Sequence, residues 1–137
     1  MRRLLLCLLA SGLPIACSSV PPNNGSKAVQ SERWATPVKH DANLYRIDDK
    51  LYCSEQPVAE DGEAIVKLGI QSVINLGFFD RNDDDYLKAY GLTLLNRPLL
   101  SWSIKPKEIA EILYLSEKQQ QNGAVLIHCY HGADRTG

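Results

Sequence analysis

The last ten residues, His128-Cys129-Tyr130-His131-Gly132-Ala133-Asp134-Arg135-Thr136-Gly137, constrain this chain more than any other stretch. Five residues separate Cys129 from Arg135, with Gly132 midway. Just upstream, Gly123 opens the apolar run Ala124-Val125-Leu126-Ile127, which predicts a buried strand. A strand running into a glycine-containing loop lets the backbone curl around an anion, its successive N–H groups converging as a nest without side-chain charge. Arg135 adds a planar fork able to grip two phosphate oxygens at once. Cys129 stands at the mouth of that nest. The field that holds an anion also stabilises a thiolate and lowers its pKa. A nucleophile, an anion cradle and a cation thus fall within seven residues. The plainer reading is a buried free Cys beside a turn with a surface Arg.

His128-Cys129-x5-Arg135-Thr136-Gly137 resembles the active-site loop of the cysteine-dependent phosphatases, the tyrosine and dual-specificity superfamily. The resemblance implies attack of Cys129 on phosphorus, a phosphocysteine intermediate, phosphate held by residues Tyr130, His131, Gly132, Ala133, Asp134 and Arg135, and no metal or cofactor. A rhodanese-type sulfurtransferase also presents a Cys in an anion-binding loop, but that loop is usually one residue shorter and lacks the Arg-Thr-Gly ending. The run Leu51-Tyr52-x-Ser54-x-Gln56-Pro57 is similar to the segment that opens one branch of dual-specificity-like phosphatases. An Arg before the Ser and a Gly after it are frequent there; this chain has Cys53 and Glu55.

The N-terminus carries a different message. Met1-Arg2-Arg3 is a basic n-region, Leu4 to Leu9 an apolar core, and small residues lead to Ala16-Cys17. This reads as a secretory signal over residues 1–16, too short to span a bilayer as a mature helix. Ala16 before Cys17 resembles a bacterial lipoprotein box, with Pro14 where an aliphatic residue is usual, and Ser18 resembles the outer-membrane sorting pattern. The expectation is a lipid anchor on Cys17 and an outer-membrane lipoprotein facing the periplasm; ordinary signal cleavage would leave a soluble periplasmic protein. Residues 17–31, rich in Pro, Asn, Ser and Gly, read as a flexible tether. Residues 32–137 form the catalytic-type domain. Two of the four cysteines, Cys53 and Cys129, fall in it, and in an exported protein they could pair reversibly.

Within the domain, Trp34 reads as an apolar anchor. Asn43 to Ile47 and Lys50 to Cys53 flank Asp48-Asp49 as a hairpin, with Tyr45 and Tyr52 as half-buried strand aromatics. Glu60 to Leu68 predicts a short helix with Ala64, Ile65 and Leu68 on its inner side and Gly69 beyond its end. Ser72 to Leu76 and Leu92 to Leu95 predict strands. Between them Asp83-Asp84-Asp85 start a helix that ends at Gly91, with Asp80 and these acids in a solvated loop and helix start. Pro106 to Lys118 is the strongest helix, with Ile109, Ile112, Leu113 and Ser116 as a core stripe. Strands alternating with helices imply an α/β fold with a largely parallel central sheet, and the Cys loop follows the last strand's carboxyl end, where such sheets place ligands. The resemblance implies the three-layer phosphatase fold. It also implies a helix directly after the loop. The sequence ends at Gly137, so the expectation is a partial domain lacking its C-terminal helices, with one flank of the core open and its stability reduced.

Many relatives take the leaving-group proton from an Asp about thirty residues before the Cys. Here Asn96 to Ser103 holds no carboxylate. Other branches carry an Asp just before the loop Arg, which by resemblance assigns Asp134 as acid and then base; its other reading is a loop-ordering residue. His128 reads as a buried partner of the loop. Thr136 reads as a hydroxyl donor to the thiolate and equally as a helix-start residue, and Tyr130 and His131 face the substrate mouth. The three His, without ligand spacing, make no metal site. A net charge of -1 without a basic stripe argues against nucleic acid. The function expected is phosphomonoester hydrolysis on a phosphorylated protein or small phosphomonoester. The alternatives are an inactive remnant or phospho-ligand-binding module and, less fittingly, a sulfurtransferase.

Overall fold

The computed structural model describes residues 35–79 and 84–136. The signal, lipidation and tether readings, with Trp34, Asp80, Asp83 and Gly137, lie outside the described residues. Among the described residues six strands form one sheet: β1 (Thr36–Lys39), β2 (Leu44–Arg46), β3 (Leu51–Ser54), β4 (Ile70–Asn75), β5 (Thr93–Asn96) and β6 (Ala124–His128), in the order β1-β2-β3-β6-β4-β5. β1, β2 and β3 run antiparallel, and the hairpin turns at Asp48 and Asp49, where the Asp48 carboxylate accepts the Lys50 N–H at 2.7 Å. β3, β6, β4 and β5 are parallel. The predicted largely parallel α/β layer is therefore the observed one.

The last strand inserts between β3 and β4, so it is buried on both faces and reads as a continuous apolar run. Alternation along β6 feeds two cores. Leu126 joins Tyr52, Ile65, Val73, Leu87 and Leu92 on one side. Val125 and Cys129 join Ile74, Leu76, Leu99 and Ile112 on the other. The first core is covered by α1 (Gly62–Lys67), which continues a 3-10 turn at Ala59–Asp61, and by the 3-10 helix Asp85–Tyr90. The second is covered by α2 (Pro106–Gln119). Pro106 occupies the first turn of α2, and the Glu108 carboxylate accepts the Lys105 N–H at 2.7 Å, which closes the helix start.

Three local expectations need correction. Ala64 is exposed, so α1 buries Gly62 and Ile65, and Leu68, just past its end, is half-buried. The segment before Gly91 is 3-10 rather than α, a tighter winding that suits six residues pinned by fully buried Leu87 and by the Tyr86 hydroxyl, which donates to the Pro57 carbonyl. Along α2 only Ile112 and Ser116 are buried; Ile109 is 40% exposed and Leu113 58%. At about 100° per residue Ile112 and Ser116 lie on one side of the shared arc and Ile109 and Leu113 on the other, and the sheet takes the side of Ile112 and Ser116. Ile109 and Leu113 line an apolar cleft of about 260 Å³ with Ile47, Leu51, Leu99 and Ile127.

The central position of β6 makes its side chains the most costly to truncate. Leu126→Ala, at a fully buried site, is expected to destabilise the fold by about 2–5 kcal/mol. A urea titration should show a lower midpoint at unchanged slope.

Candidate active site

Parallel pairing brings four strand ends to one rim. Ser54, His128, Asn75 and Asn96 stand in register across β3, β6, β4 and β5. The chain leaves the sheet there as Glu55-Gln56, Cys129 to Thr136, Leu76 to Phe79, and Arg97 to Leu99. Residues 129 to 136 of the terminal loop therefore sit at the carboxyl edge of the sheet, between the segments that follow β3 and β4.

Cys129 is fully buried. Its Sγ lies 3.6 Å from the Thr136 hydroxyl, and the backbone N–H groups of Arg135, Gly132 and Ala133 face it. Burial pushes the thiol pKa up; the Thr136 hydroxyl and the three amides outweigh burial and hold it below its ordinary value. Arg135 is half-buried, and its Nε donates to the Leu99 carbonyl at 2.7 Å. Tyr130, His131, Ala133 and Asp134 are exposed. Asp134 and Arg135 line a cleft of about 260 Å³ together with Gly77, Phe78, Phe79, Tyr130 and His131.

His128 takes the opposite face from Cys129, one residue away. It is fully buried, and its Nε2 lies 3.4 Å from the Asp84 carboxylate. Asp84 also accepts from the Asn75 amide at 3.4 Å, and Asn75 in turn accepts the Gly77 N–H at 2.7 Å. Asp84 is thus only 2% exposed, against the expectation of a solvated acid. Burial raises its pKa, but the hydrogen bond and charge of His128, with backbone and Asn75 donors, win and hold it below the usual carboxylate range. The sequence signal that could have marked it is position alone: Asp84 precedes a turn whose Leu87 enters the core, so it shares that turn's face.

The segment after β3, which departs from the family pattern at Cys53 and Glu55, lies directly beneath the loop. The Gln56 N–H donates to the Tyr130 carbonyl at 3.2 Å, and the Asn43 side-chain amide donates to the His131 carbonyl at 3.1 Å. Gly132 has φ +68°, and a Cβ there would stand 2.6 Å from the Glu55 nitrogen and 2.8 Å from the Ser54 carbonyl carbon. Asn43 was read only as the start of a strand. Cys53 and Cys129 are separate thiols; register places Cys53 beside Ile127, on the face that Cys129 shares. Burial, then the Cys129 charge, raise the Cys53 pKa. Among the described residues, no cluster of three or more metal-type ligands occurs.

This arrangement can keep a sulfur ionised and present amides and a guanidinium to a tetrahedral anion. No protein-family model matches the chain. The dual specificity protein phosphatase TpbA of Pseudomonas aeruginosa is 30% identical over 110 residues, covering 80% of this chain and 50% of its own length. The chain therefore spans about half the length of the curated relatives it matches. The crystal structure of P. aeruginosa TpbA superposes with a TM-score of 0.71 at 29% identity, over 78% of this chain and 65% of that one. A cysteine-to-serine variant of TpbA in complex with pTyr gives 0.68 at 27%, over 75% and 62%. A candidate phosphatase of Neisseria meningitidis shares the fold at a TM-score of 0.54 and 23% identity, over 62% of this chain and 65% of that one.

Two outcomes follow from the geometry. Gly132→Ala forces a Cβ into the backbone of residues 54 and 55 at a positive φ. The loop must shift, and the Cys129 thiol should titrate closer to its ordinary value, read as the pH profile of iodoacetate alkylation. Asp84 has a native pKa below its unfolded one, so its contribution to stability is complete above about pH 3.9 and is lost as pH falls from there through the depressed native value. Asp84→Asn should therefore flatten the acid limb of a stability–pH curve.

Proposed function

We propose, from the homology and shared fold that support a place for this chain in the cysteine-based tyrosine and dual-specificity phosphatase superfamily, that it is a phosphomonoester hydrolase working through Cys129. One observation carries the reading: a buried sulfur whose ionised form is favoured by the Thr136 hydroxyl and by the amides of Arg135, Gly132 and Ala133. The thiolate attacks phosphorus in line with the leaving oxygen. An S–P bond forms as the P–O bond breaks, and Asp134 gives its proton to the departing oxygen. Arg135, its Nε anchored on Leu99, turns its remaining N–H groups to the equatorial oxygens. Water then attacks phosphorus, Asp134 takes its proton, and the S–P bond breaks to release inorganic phosphate. The Thr136 hydroxyl receives the returning negative charge on sulfur. No step calls on a metal or cofactor.

The cleft favours an aryl phosphomonoester. Phe78, Phe79 and Tyr130 form apolar walls beside Arg135 and Asp134, and the TpbA variant bound to pTyr supports the same substrate class. The exported, Cys17-lipidated placement is part of the proposal and is supported by the n-region, apolar core and Ala16-Cys17 pattern. Incorporation of labelled fatty acid into wild type but not into Cys17→Ser would be the check; incorporation into neither leaves the soluble periplasmic form.

Cys129→Ser should abolish hydrolysis and still bind vanadate, while rapid acid quench of wild type should trap one phosphate on Cys129. Asp134→Asn should slow turnover of phosphotyrosine by about 10²–10⁴, with a smaller loss on p-nitrophenyl phosphate, whose leaving group needs less help. Vanadate binding by wild type without any turnover would leave a phospho-ligand-binding module, and a persulfide formed with thiosulfate would indicate sulfurtransfer. Full turnover by Asp134→Asn on phosphotyrosine would remove Asp134 from the mechanism.

A further inference from the structure

Amides that face an anion are held by what their carbonyls do. In a trans peptide the C=O of one residue and the N–H of the next point in opposite directions. A carbonyl tied outward therefore aims the following N–H inward. Two consecutive carbonyls of the loop are tied in this way. The Tyr130 carbonyl accepts from the Gln56 N–H at 3.2 Å, and the His131 carbonyl from the Asn43 side chain at 3.1 Å. The second tie governs the His131–Gly132 peptide, whose N–H is one of the three facing Cys129.

Asn43 is placed for this task at a conformational cost. It has φ +43° and ψ +36°, and among the described residues it is the non-glycine with positive φ. Asn is among the side chains that tolerate this region best, and such strained positions gather at functional sites. The left-handed residue ends the 3-10 turn His40–Ala42, with the Asn43 N–H on the His40 carbonyl at 3.2 Å. The neighbouring Ala42 carbonyl accepts the Glu55 N–H at 3.2 Å, and Glu55 Oε2 lies 3.5 Å from the same Asn43 amide. The turn, the segment after β3 and the loop are thereby joined across 88 residues of sequence.

We infer that Asn43 is a positioning residue whose side-chain amide, aimed by a left-handed backbone, fixes the His131–Gly132 peptide so that the Gly132 N–H faces the Cys129 sulfur. It acts through the loop and touches neither substrate nor sulfur. The inference rests on the reading of this loop as a thiolate and phosphate site.

Asn43→Gly keeps the backbone conformation and removes the donor. Asn43→Asp keeps the backbone and the size but offers only acceptors to the His131 carbonyl. Both should move the pH profile of Cys129 alkylation upward relative to wild type, with equal rates on the alkaline plateau, where every thiol is ionised. Measured at about 0.5 M salt, the added Asp charge is largely screened. On p-nitrophenyl phosphate at pH 6, kcat of Asn43→Gly should fall about three- to tenfold with KM changed less, as expected for the loss of about one hydrogen bond. If either variant, folded by its urea midpoint, keeps the wild-type alkylation profile while Gly132→Ala shifts it, the role of Asn43 is overturned. If Gly132→Ala also leaves the profile unmoved, the reading of the loop itself fails.

Discussion

One step along an extended chain separates the two chemical environments of this site. Neighbouring residues of a strand face opposite sides, so His128 turns toward Asp84 while Cys129 turns toward the loop amides and Thr136. The consequence is electrostatic. A carboxylate beside the sulfur would oppose its ionisation, whereas the same carboxylate beneath His128 is paired and kept on the far face of the sheet. β6 keeps the Asp84 carboxylate and the Cys129 sulfur on opposite faces, so the carboxylate does not oppose ionisation of the thiol.

Strand order makes that separation structural. β6 is last in sequence and central in space, flanked by β3 and β4 in parallel register. Its loop therefore emerges between the segment that follows β3, where Gln56 ties the Tyr130 carbonyl, and the segment that follows β4, which carries Gly77 and Phe78, while Asn43 ahead of β2 ties the His131 carbonyl. The Leu76 N–H donates to the His128 carbonyl at 2.8 Å, extending the ladder one residue past β4 and holding the point where strand becomes loop. Beyond the Cys129–Thr136 contact within the loop, the nest is held by residues 43 to 56, 75 to 79 and 84.

That division marks what was legible in the sequence. Strands β2 to β6, the hairpin, the parallel sheet and the Cys129-to-Arg135 loop follow from local pattern, since apolar runs, Gly123 and Gly132, and Pro106 act on their immediate neighbours; exposed β1, which contains Pro37, carries no such pattern. The partners of the loop do not. Asp84 looked solvated because three acids in a row carry no mark of which one turns inward, and only packing of the following turn around Leu87 decides it. Asn43 looked like a strand residue because a left-handed φ at Asn depends on the turn before it and on a carbonyl 88 positions away. Ile109 and Leu113 shared the period of the buried Ile112, yet period shows which residues share an arc and not how wide an arc the sheet covers.

The proposed hydrolysis requires a proton donor for the leaving oxygen. The stretch Asn96 to Ser103, which by family resemblance would supply an acid, supplies instead the Leu99 carbonyl that holds Arg135 Nε. With that bond made, the guanidinium is fixed in direction and its terminal nitrogens are left for oxygens in the cleft. Asp84 is excluded by its place on the far face beneath His128. Glu55 is engaged below the loop with the Asn43 amide. Among the described residues, Asp134 is the carboxylate that lines the cleft with Arg135, Tyr130 and Phe79. In the proposed hydrolysis a carboxyl must reach the leaving oxygen while the sulfur is on the phosphorus, and Asp134, next to Arg135, is the carboxylate placed in that cleft.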